Sequence, residues 1–133
     1  SNDAKASFSN FGDWVSLAAP GVSIYSTTNG GGYGSVSGTS FSSPISAGVA
    51  ALVMAANPGL SSADVEKIIF TTALDLGAAG KDTVYGHGRV DATKAVQAAL
   101  STSSTPPADT QAPSASIAAP LGSSTVSGLV AVS

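Results

Sequence analysis

The chain has 133 residues and a net charge of −3, and it contains one His and no Cys. The length suits one domain of ordinary size or a piece of a larger one, and the lack of Cys excludes disulfides, thiolate catalysis and cysteine-ligated metal sites. A single His excludes a multi-histidine metal site, and the isoelectric point near 4.6 argues against a nucleic-acid partner.

Charged side chains are absent between Asp13 and Asp64. The longest mostly apolar run in this stretch, Ile45 to Ala56, is shorter than the about 20 residues that a helix needs to cross a bilayer. Gly, Ser and Pro interrupt the rest, so we expect no membrane span. Because an unpaired charge is costly inside a protein, the stretch is predicted to be buried and close-packed.

The first third of the chain is predicted to form short extended segments joined by turns. Val15 to Ala18 is β-like and ends at the turn signal Pro20-Gly21. Val22 to Thr28 alternates as a strand does, and Tyr33 to Ser37 is predicted to be another strand. Asn29-Gly30-Gly31-Gly32 between them is predicted to be a loop, since Gly tolerates positive φ.

Three helices are predicted downstream. The first begins near Ser40, continues to Asn57-Pro58-Gly59, and should be buried all round because its other face is Ala and Gly. Ser61 and Asp64 resemble a capping box for the second helix, and Asp91 is predicted to cap the third. The inward-facing positions of these two helices are predicted to be Val65, Ile68, Ile69, Thr72, Ala92, Ala95, Val96 and Ala99.

The composition changes after Leu100. Residues 101–113 are rich in Ser, Thr and Pro and are predicted to be a linker. Residues 114–133 alternate weakly, which fits either the start of an immunoglobulin-like β-sandwich module or a disordered tail. The chain begins with Ser and stops within an alternating pattern, so we expect a piece of a longer protein.

The stretch from Gly38 to Gly48 holds the residues best suited to chemistry. A strand and a Gly turn deliver Ser40 to the first turn of an uncharged helix, where backbone N–H groups lack partners and carry the positive end of the helix dipole. A hydroxyl beside such donors suits acyl transfer, because the donors stabilise the oxyanion that forms when the hydroxyl attacks a carbonyl. For a lone Gly-Thr-Ser, a simple N-cap is the more frequent role.

The motif around Ser40 has matches on both sides. Gly38-Thr39-Ser40-x-Ser42-x-Pro44-x-x-Ala47-Gly48 resembles the active-site serine signature of the subtilisin-like serine proteases (subtilases, peptidase family S8). The flanking matches are Ala6-Ser7-Phe8-Ser9-Asn10-Phe11-Gly12, Ala18-Ala19-Pro20-Gly21-Val22 and Tyr85-Gly86-His87-Gly88-Arg89-Val90-Asp91-Ala92. The last of these resembles the closing Tyr-Gly-x-Gly element and terminal helix of the catalytic domain.

The resemblance implies an α/β fold in which residues 1–100 are the C-terminal part of a subtilisin-like catalytic domain. That domain is a three-layer fold with a mostly parallel sheet. A secreted or cell-envelope protein is implied, with a protein or peptide substrate and the N-terminal part of the catalytic domain as partners. No cofactor or metal site is expected in the chain, since Ser16 stands where several relatives carry an Asp; calcium is expected elsewhere in the complete domain.

The resemblance also implies that Ser40 is the nucleophile and that its backbone N–H forms half of the oxyanion hole. The parent protein would be a serine endopeptidase acting through an acyl-enzyme on Ser40. The family places its catalytic Asp and His and its oxyanion Asn before the Ser, and the chain has no counterpart of any of them. We therefore expect the chain alone to be inactive; the alternative is a non-catalytic structural or binding piece of a secreted protein.

The other polar candidates fit catalysis poorly. His87 follows Ser40 and fills the variable position of Tyr-Gly-x-Gly, so it is predicted to be a surface or turn residue. Asp13 is placed in an early loop and Asp91 at a helix cap. Phe41 follows the nucleophile where many relatives carry Met, so that position lacks an oxidisable sulfur.

Overall fold

The computed structural model describes residues 2–103. Most of the predicted linker and the predicted start of a β-sandwich module lie outside the described residues. The elements, in chain order, are β1 (Ile24–Thr28), β2 (Gly32–Val36), α1 (Thr39–Ala56), α2 (Ser62–Thr72) and α3 (Ala92–Ser101). These five elements lie where the residue pattern predicts them, with small differences at the strand ends. The β-like segment predicted from Val15 to Ala18 is not a regular strand, since only Ala18 forms an isolated bridge.

β1 and β2 form an antiparallel hairpin whose register pairs Ile24 with Val36. The turn between the strands passes through Gly30 and Gly31 at φ values of 92° and 85°. Glycine adopts this left-handed region without the steric cost that a side chain imposes, which accounts for the predicted glycine loop. The hairpin leads the chain directly into α1.

Two helix caps hold the starts of α2 and α3. Ser61 Oγ accepts the Asp64 N–H at 3.2 Å, and the Asp64 carboxylate accepts the Ser61 N–H at 3.1 Å, which is the predicted capping box. The Asp91 carboxylate accepts the Lys94 N–H at 3.0 Å. Bonds from Ser61 lower the pKa of Asp64, and the bond from Lys94 lowers the pKa of Asp91.

The hydrophobic core lies on one side of α1, where α2 and α3 pack against it. Burying one aliphatic side chain stabilises a fold by about 1.5–3 kcal/mol, so this cluster is the main source of stability in these residues. The prediction of the inward faces is confirmed for most positions of α2 and α3. The buried side chains are Val49, Val53, Leu60, Val65, Ile68, Ile69, Val90, Ala95 and Ala99.

α1 is buried on one face only, so the prediction that it is buried all round is wrong for residues 2–103. Val53 is fully buried, whereas Leu52 and Met54 are 54% and 55% exposed. The reason is that α2 and α3 cover one side and no other described element covers the opposite side. The uncharged stretch likewise includes surface residues, since Trp14 is 75% exposed.

By length and composition, α1 is apolar enough for a membrane span. It has 18 residues with a mean hydropathy of 1.4. The core helix of a water-soluble protein meets the same criteria, and 18 residues fall short of the about 20 that a span normally requires. The helix is therefore weak evidence for a span.

The sheet differs from the one implied by the family resemblance. Within residues 2–103 the regular sheet is the antiparallel hairpin, and parallel pairing is confined to a bridge between Ala18 and Arg89. In that bridge the Ala18 N–H donates to the Gly88 carbonyl at 2.9 Å, and Leu74 pairs antiparallel with Arg89 on the other side. The three-layer arrangement with a mostly parallel sheet stays a prediction for the longer protein.

Asp82 organises the loop between α2 and the turn from Tyr85 to Gly88, which we call the closing turn. Its carboxylate accepts the N–H groups of Tyr85 at 2.7 Å, Val84 at 2.8 Å and Ala78 at 3.0 Å. These bonds, with that from Tyr85 first, lower the pKa of Asp82. The loop therefore depends on the ionised carboxylate.

Stability of this loop should depend on pH. A carboxyl whose pKa is lowered by folding contributes stability that is complete above its ordinary value of about 3.9 and is lost as pH falls through the folded value. We expect Asp82→Asn to lower the melting temperature of the full-length protein at neutral pH, and the deficit to shrink below about pH 3.9. Asp13→Asn is the control, because its carboxylate accepts no hydrogen bond within residues 2–103. A deficit independent of pH would contradict the role of the charge.

Candidate active site

The backbone before Ser40 sets the position of this residue. Gly38, the N-cap of α1, has φ 158° and ψ 155°, a region that is essentially restricted to Gly. The Gly38 N–H donates to the Gly21 carbonyl at 2.8 Å, and the Gly38 carbonyl accepts the Phe41 N–H at 3.1 Å. These bonds attach the start of α1 to the segment after Pro20.

Gly21 allows this close approach of two backbone segments. A Cβ atom at Gly21 would clash with Ser42 Oγ and would lie 3.1 Å from the Gly38 carbonyl oxygen. Gly21, predicted as part of a turn, thus also positions the start of α1. The sequence signal for this contact is the Gly at position 21, but its partner, Gly38, lies 17 positions further along the chain.

Ser40 lies inside the first turn of α1 and is exposed. Its hydroxyl and its backbone N–H have no hydrogen-bond partner within residues 2–103. The N-cap position belongs to Gly38, which has no side chain to act as a cap. The common role of a Ser at a helix start, an N-cap, is thus not the role of Ser40.

The electrostatics at the start of α1 favour a developing negative charge. The first turn contains no acidic residue, and the helix has 18 residues over which peptide dipoles align. An unpaired N–H at this end is a ready donor for an anion. Ser40 thus combines a free hydroxyl and a free donor, the two groups that acyl transfer requires at one place.

The other polar candidates lie in structural positions. The ring of His87 stacks on Phe70, with centroids 4.6 Å apart, and the backbone N–H of His87 donates to the Ser16 carbonyl at 2.9 Å. Asp91 caps α3, and the Asp13 carbonyl accepts a hydrogen bond from Lys81 Nζ. Within residues 2–103 none of these side chains is hydrogen-bonded to Ser40, so the described part of the chain assembles no triad.

Ser16 uses its backbone carbonyl to hold the closing turn. In the part of the chain that the structure describes, no three acidic or His side chains group together so that they could hold a metal ion. That calcium binds in the complete domain stays a prediction.

Two clefts border the start of α1, and they share Thr39 and Ser42. One has a volume of about 230 Å³, and Tyr85 and Arg89 are among its other lining residues. The other has a volume of about 620 Å³ and is lined by Trp14 among others. Ser40 lines neither cleft, so these residues alone form no enclosed substrate pocket around its hydroxyl.

Comparison with known proteins identifies the family of the chain. Residues 1–88 match the sequence model of the Subtilase family. The chain is 47% identical over 91 residues to the halolysin-like extracellular serine protease Nep of Natrialba magadii, and 46% identical over 96 residues to thermitase of Thermoactinomyces vulgaris. The chain therefore belongs to the subtilase family of serine peptidases.

These matches cover most of the chain but a minor part of each relative. They include 68% of the chain and 16% of the Natrialba protease, and 72% of the chain and 33% of thermitase. A solved structure of a protease from Pseudoalteromonas arctica matches with a TM-score of 0.56 and 36% identity, over 63% of this chain and 29% of that one. The chain corresponds to about a third or less of these proteins.

Proposed function

We propose that the chain is the nucleophile-bearing part of a secreted serine endopeptidase, with the acyl-enzyme formed on Ser40. The observation that carries the proposal is an exposed hydroxyl and an unpaired backbone N–H on one residue at the start of α1. Membership of the subtilase family supports the reaction class.

In the proposed reaction Ser40 has two parts. Its Oγ attacks the carbonyl carbon of the scissile peptide bond, and the carbonyl electron pair moves onto oxygen. The Ser40 N–H donates to this oxyanion and forms half of the oxyanion hole. A His from the remainder of the catalytic domain takes the Oγ proton and gives it to the leaving amine; water then hydrolyses the ester.

The first partner in this proposal is the N-terminal part of the same catalytic domain. The uncovered face of α1, with Leu52 and Met54 more than half exposed, supports an apolar contact there. The cleft of about 620 Å³ beside Ser42 supports a second contact. In the complete domain these surfaces would pack in the three-layer fold, and a protein or peptide substrate would bind across the start of α1.

The chain alone should not hydrolyse peptides. No His or carboxylate within residues 2–103 is hydrogen-bonded to Ser40, and general-base catalysis contributes about 10²–10⁴-fold to the rate. Purified chain should leave a fluorogenic peptide intact, and addition of the N-terminal part of the domain should start cleavage. Robust hydrolysis by the chain alone would refute this prediction, and an inactive mixture would favour a non-catalytic structural or binding role.

The direct test of Ser40 is labelling of the full-length protein with a fluorophosphonate, which reacts covalently with an activated serine. We expect labelling of the wild type and its loss in Ser40→Ala. Ser43→Ala is the matched control, because Ser43 is exposed in the same helix turn. Equal labelling of Ser40→Ala and the wild type would exclude Ser40 as the nucleophile.

A further inference from the structure

The outer face of the hairpin carries two stacked tyrosines that the proposed peptidase reaction does not use. Tyr25 and Tyr33 are 74% and 68% exposed, and their ring centroids lie 6.1 Å apart with 16° between the planes. The register places Tyr25 opposite Ser35 and Tyr33 opposite Thr27. All four side chains are exposed on one face, which we call the tyrosine face.

The orientation of the hairpin is well determined. The apolar residues Ile24 and Val36 lie on the opposite face and are half-buried, as is Ser26 between them, so the strands direct their aliphatic side chains inward. A slip of one residue would exchange the two faces, which specifies the register. The strand pairing therefore places both rings on the solvent-exposed face of the hairpin.

Stacking restricts the motion of the two rings before any ligand binds. Near-parallel aromatic rings stabilise each other by about 0.5–1.5 kcal/mol beyond the area that they bury. Rings held in this way lose little conformational freedom when a ligand packs on them, which lowers the entropic cost of binding.

Charge excludes several classes of ligand. The stretch from Asp13 to Asp64, which contains the whole hairpin, has no charged side chain between its ends. Nucleic acids and other polyanions require Lys or Arg beside the stacking rings, and the tyrosine face has none. The face likewise has no carboxylate to pair with a cationic ligand, so its chemistry favours a neutral one.

The hydroxyl groups on the face select among neutral ligands. The phenol groups of Tyr25 and Tyr33 and the hydroxyls of Thr27 and Ser35 both donate and accept hydrogen bonds. A purely apolar ligand would cover these groups without pairing them, which is costly. A sugar ring satisfies both requirements, because its C–H face packs on an aromatic ring while its hydroxyls bond to the protein.

We propose that the tyrosine face binds a neutral polysaccharide. Neither Tyr25 nor Tyr33 lines the clefts beside α1, so a bound polymer leaves Ser40 accessible. β2 ends at Val36, shortly before Ser40, so the binding face and the nucleophile are carried on consecutive elements. The site holds the protein on a glycan-containing surface, and it does so independently of the peptidase reaction.

The test measures retention of the full-length protein on insoluble cellulose and its retardation in gels containing soluble hydroxyethyl cellulose. We expect Tyr25→Ser combined with Tyr33→Ser to weaken binding about tenfold, as the loss of two aromatic contacts predicts. The corresponding double Phe variant keeps the rings and should bind with intermediate strength. Leu100→Ser, which removes a 67% exposed apolar side chain from α3, is the control and should bind as the wild type does.

Thermal melting verifies that each variant folds. If the double Ser variant does not fold, the two single Tyr→Ser variants are tested in its place. Binding should persist in about 1 M salt, where the Debye length is about 3 Å, because the face has no charge. Equal retention of wild type and Tyr→Ser variants, or loss of binding in salt, would overturn the proposal. Tyrosine-dependent retention on casein-coated beads, with none on either glycan, would identify a protein ligand and also overturn it.

Discussion

Replacing Ser40 by Ala in the full-length protein should reduce kcat for peptide hydrolysis by about 10⁶-fold, the size known for loss of the nucleophile in a serine protease. The change removes the Oγ atom that forms the acyl-enzyme but keeps the backbone N–H that holds the oxyanion. Substrate binding does not require the hydroxyl, so KM should change little. Steady-state kinetics with a fluorogenic peptide measure both quantities.

Ser43→Ala is again the matched control for kinetics. Ser43 lies three residues after Ser40 near the start of α1 and is exposed, and it takes no part in the proposed reaction. Its kcat and KM should stay close to the wild-type values. If Ser40→Ala retained a kcat within tenfold of the wild type, the assignment of Ser40 as the nucleophile would be wrong, whatever the family of the protein.

Gly88→Ala should destabilise the closing turn strongly. Gly88 has φ 114°, and a Cβ atom there would overlap the Leu74 carbonyl. That carbonyl accepts the Arg89 N–H at 2.9 Å, and the Leu74 N–H donates to the Arg89 carbonyl at 2.8 Å. Backbone strain of about 1–2 kcal/mol and two weakened hydrogen bonds of about 1 kcal/mol each give a loss of about 3 kcal/mol.

The effect should be visible in the melting temperature of the full-length protein, measured in the Ser40→Ala background to prevent self-digestion. A loss of about 3 kcal/mol lowers the melting temperature of a domain of about 150–250 residues by about 6–12 °C. Gly80→Ala is the control, since Gly80 has φ 82° but no atom within 4 Å of its Cβ position. An equal decrease in both variants would show that strain alone, without the backbone contact, accounts for the effect.

The other glycine of the closing element, Gly86, is required for the same reason. A Cβ atom at Gly86 would overlap the backbone of Ser16, whose carbonyl accepts the His87 N–H. The side chain of His87 points onto Phe70 and meets no such backbone constraint. In this chain close backbone contacts therefore require Gly at both glycine positions of Tyr-Gly-x-Gly, whereas no such contact restricts position 87.

Local features were predictable from the sequence because their causes are local. The capping box joins Ser61 to Asp64, three positions apart, and helix periodicity depends on neighbours along one turn. The glycine loop of the hairpin follows from the backbone freedom of single residues. In each case the residues that interact are close together in the chain.

Contacts between distant segments were not predictable. The pattern Asn57-Pro58-Gly59 predicts only a helix stop, yet Asn57 Nδ2 donates to the Ala99 carbonyl at 2.9 Å and the Thr102 carbonyl at 2.8 Å. The first of these bonds joins residues 42 positions apart. The bond from Gly38 to Gly21 that places the nucleophile is of the same kind.

The residue pattern alone predicts the hairpin, the three helices, the caps of α2 and α3, the subtilase resemblance and the choice of Ser40. Long-range contacts within residues 2–103 are needed to show that Ser40 is exposed with an unpaired N–H, that α1 is covered on one face, and that Tyr25 stacks with Tyr33. An apolar pattern shows that side chains are suited to burial, but it does not specify what covers them. That depends on contacts between segments far apart in the chain, which leave no local trace in the order of residues.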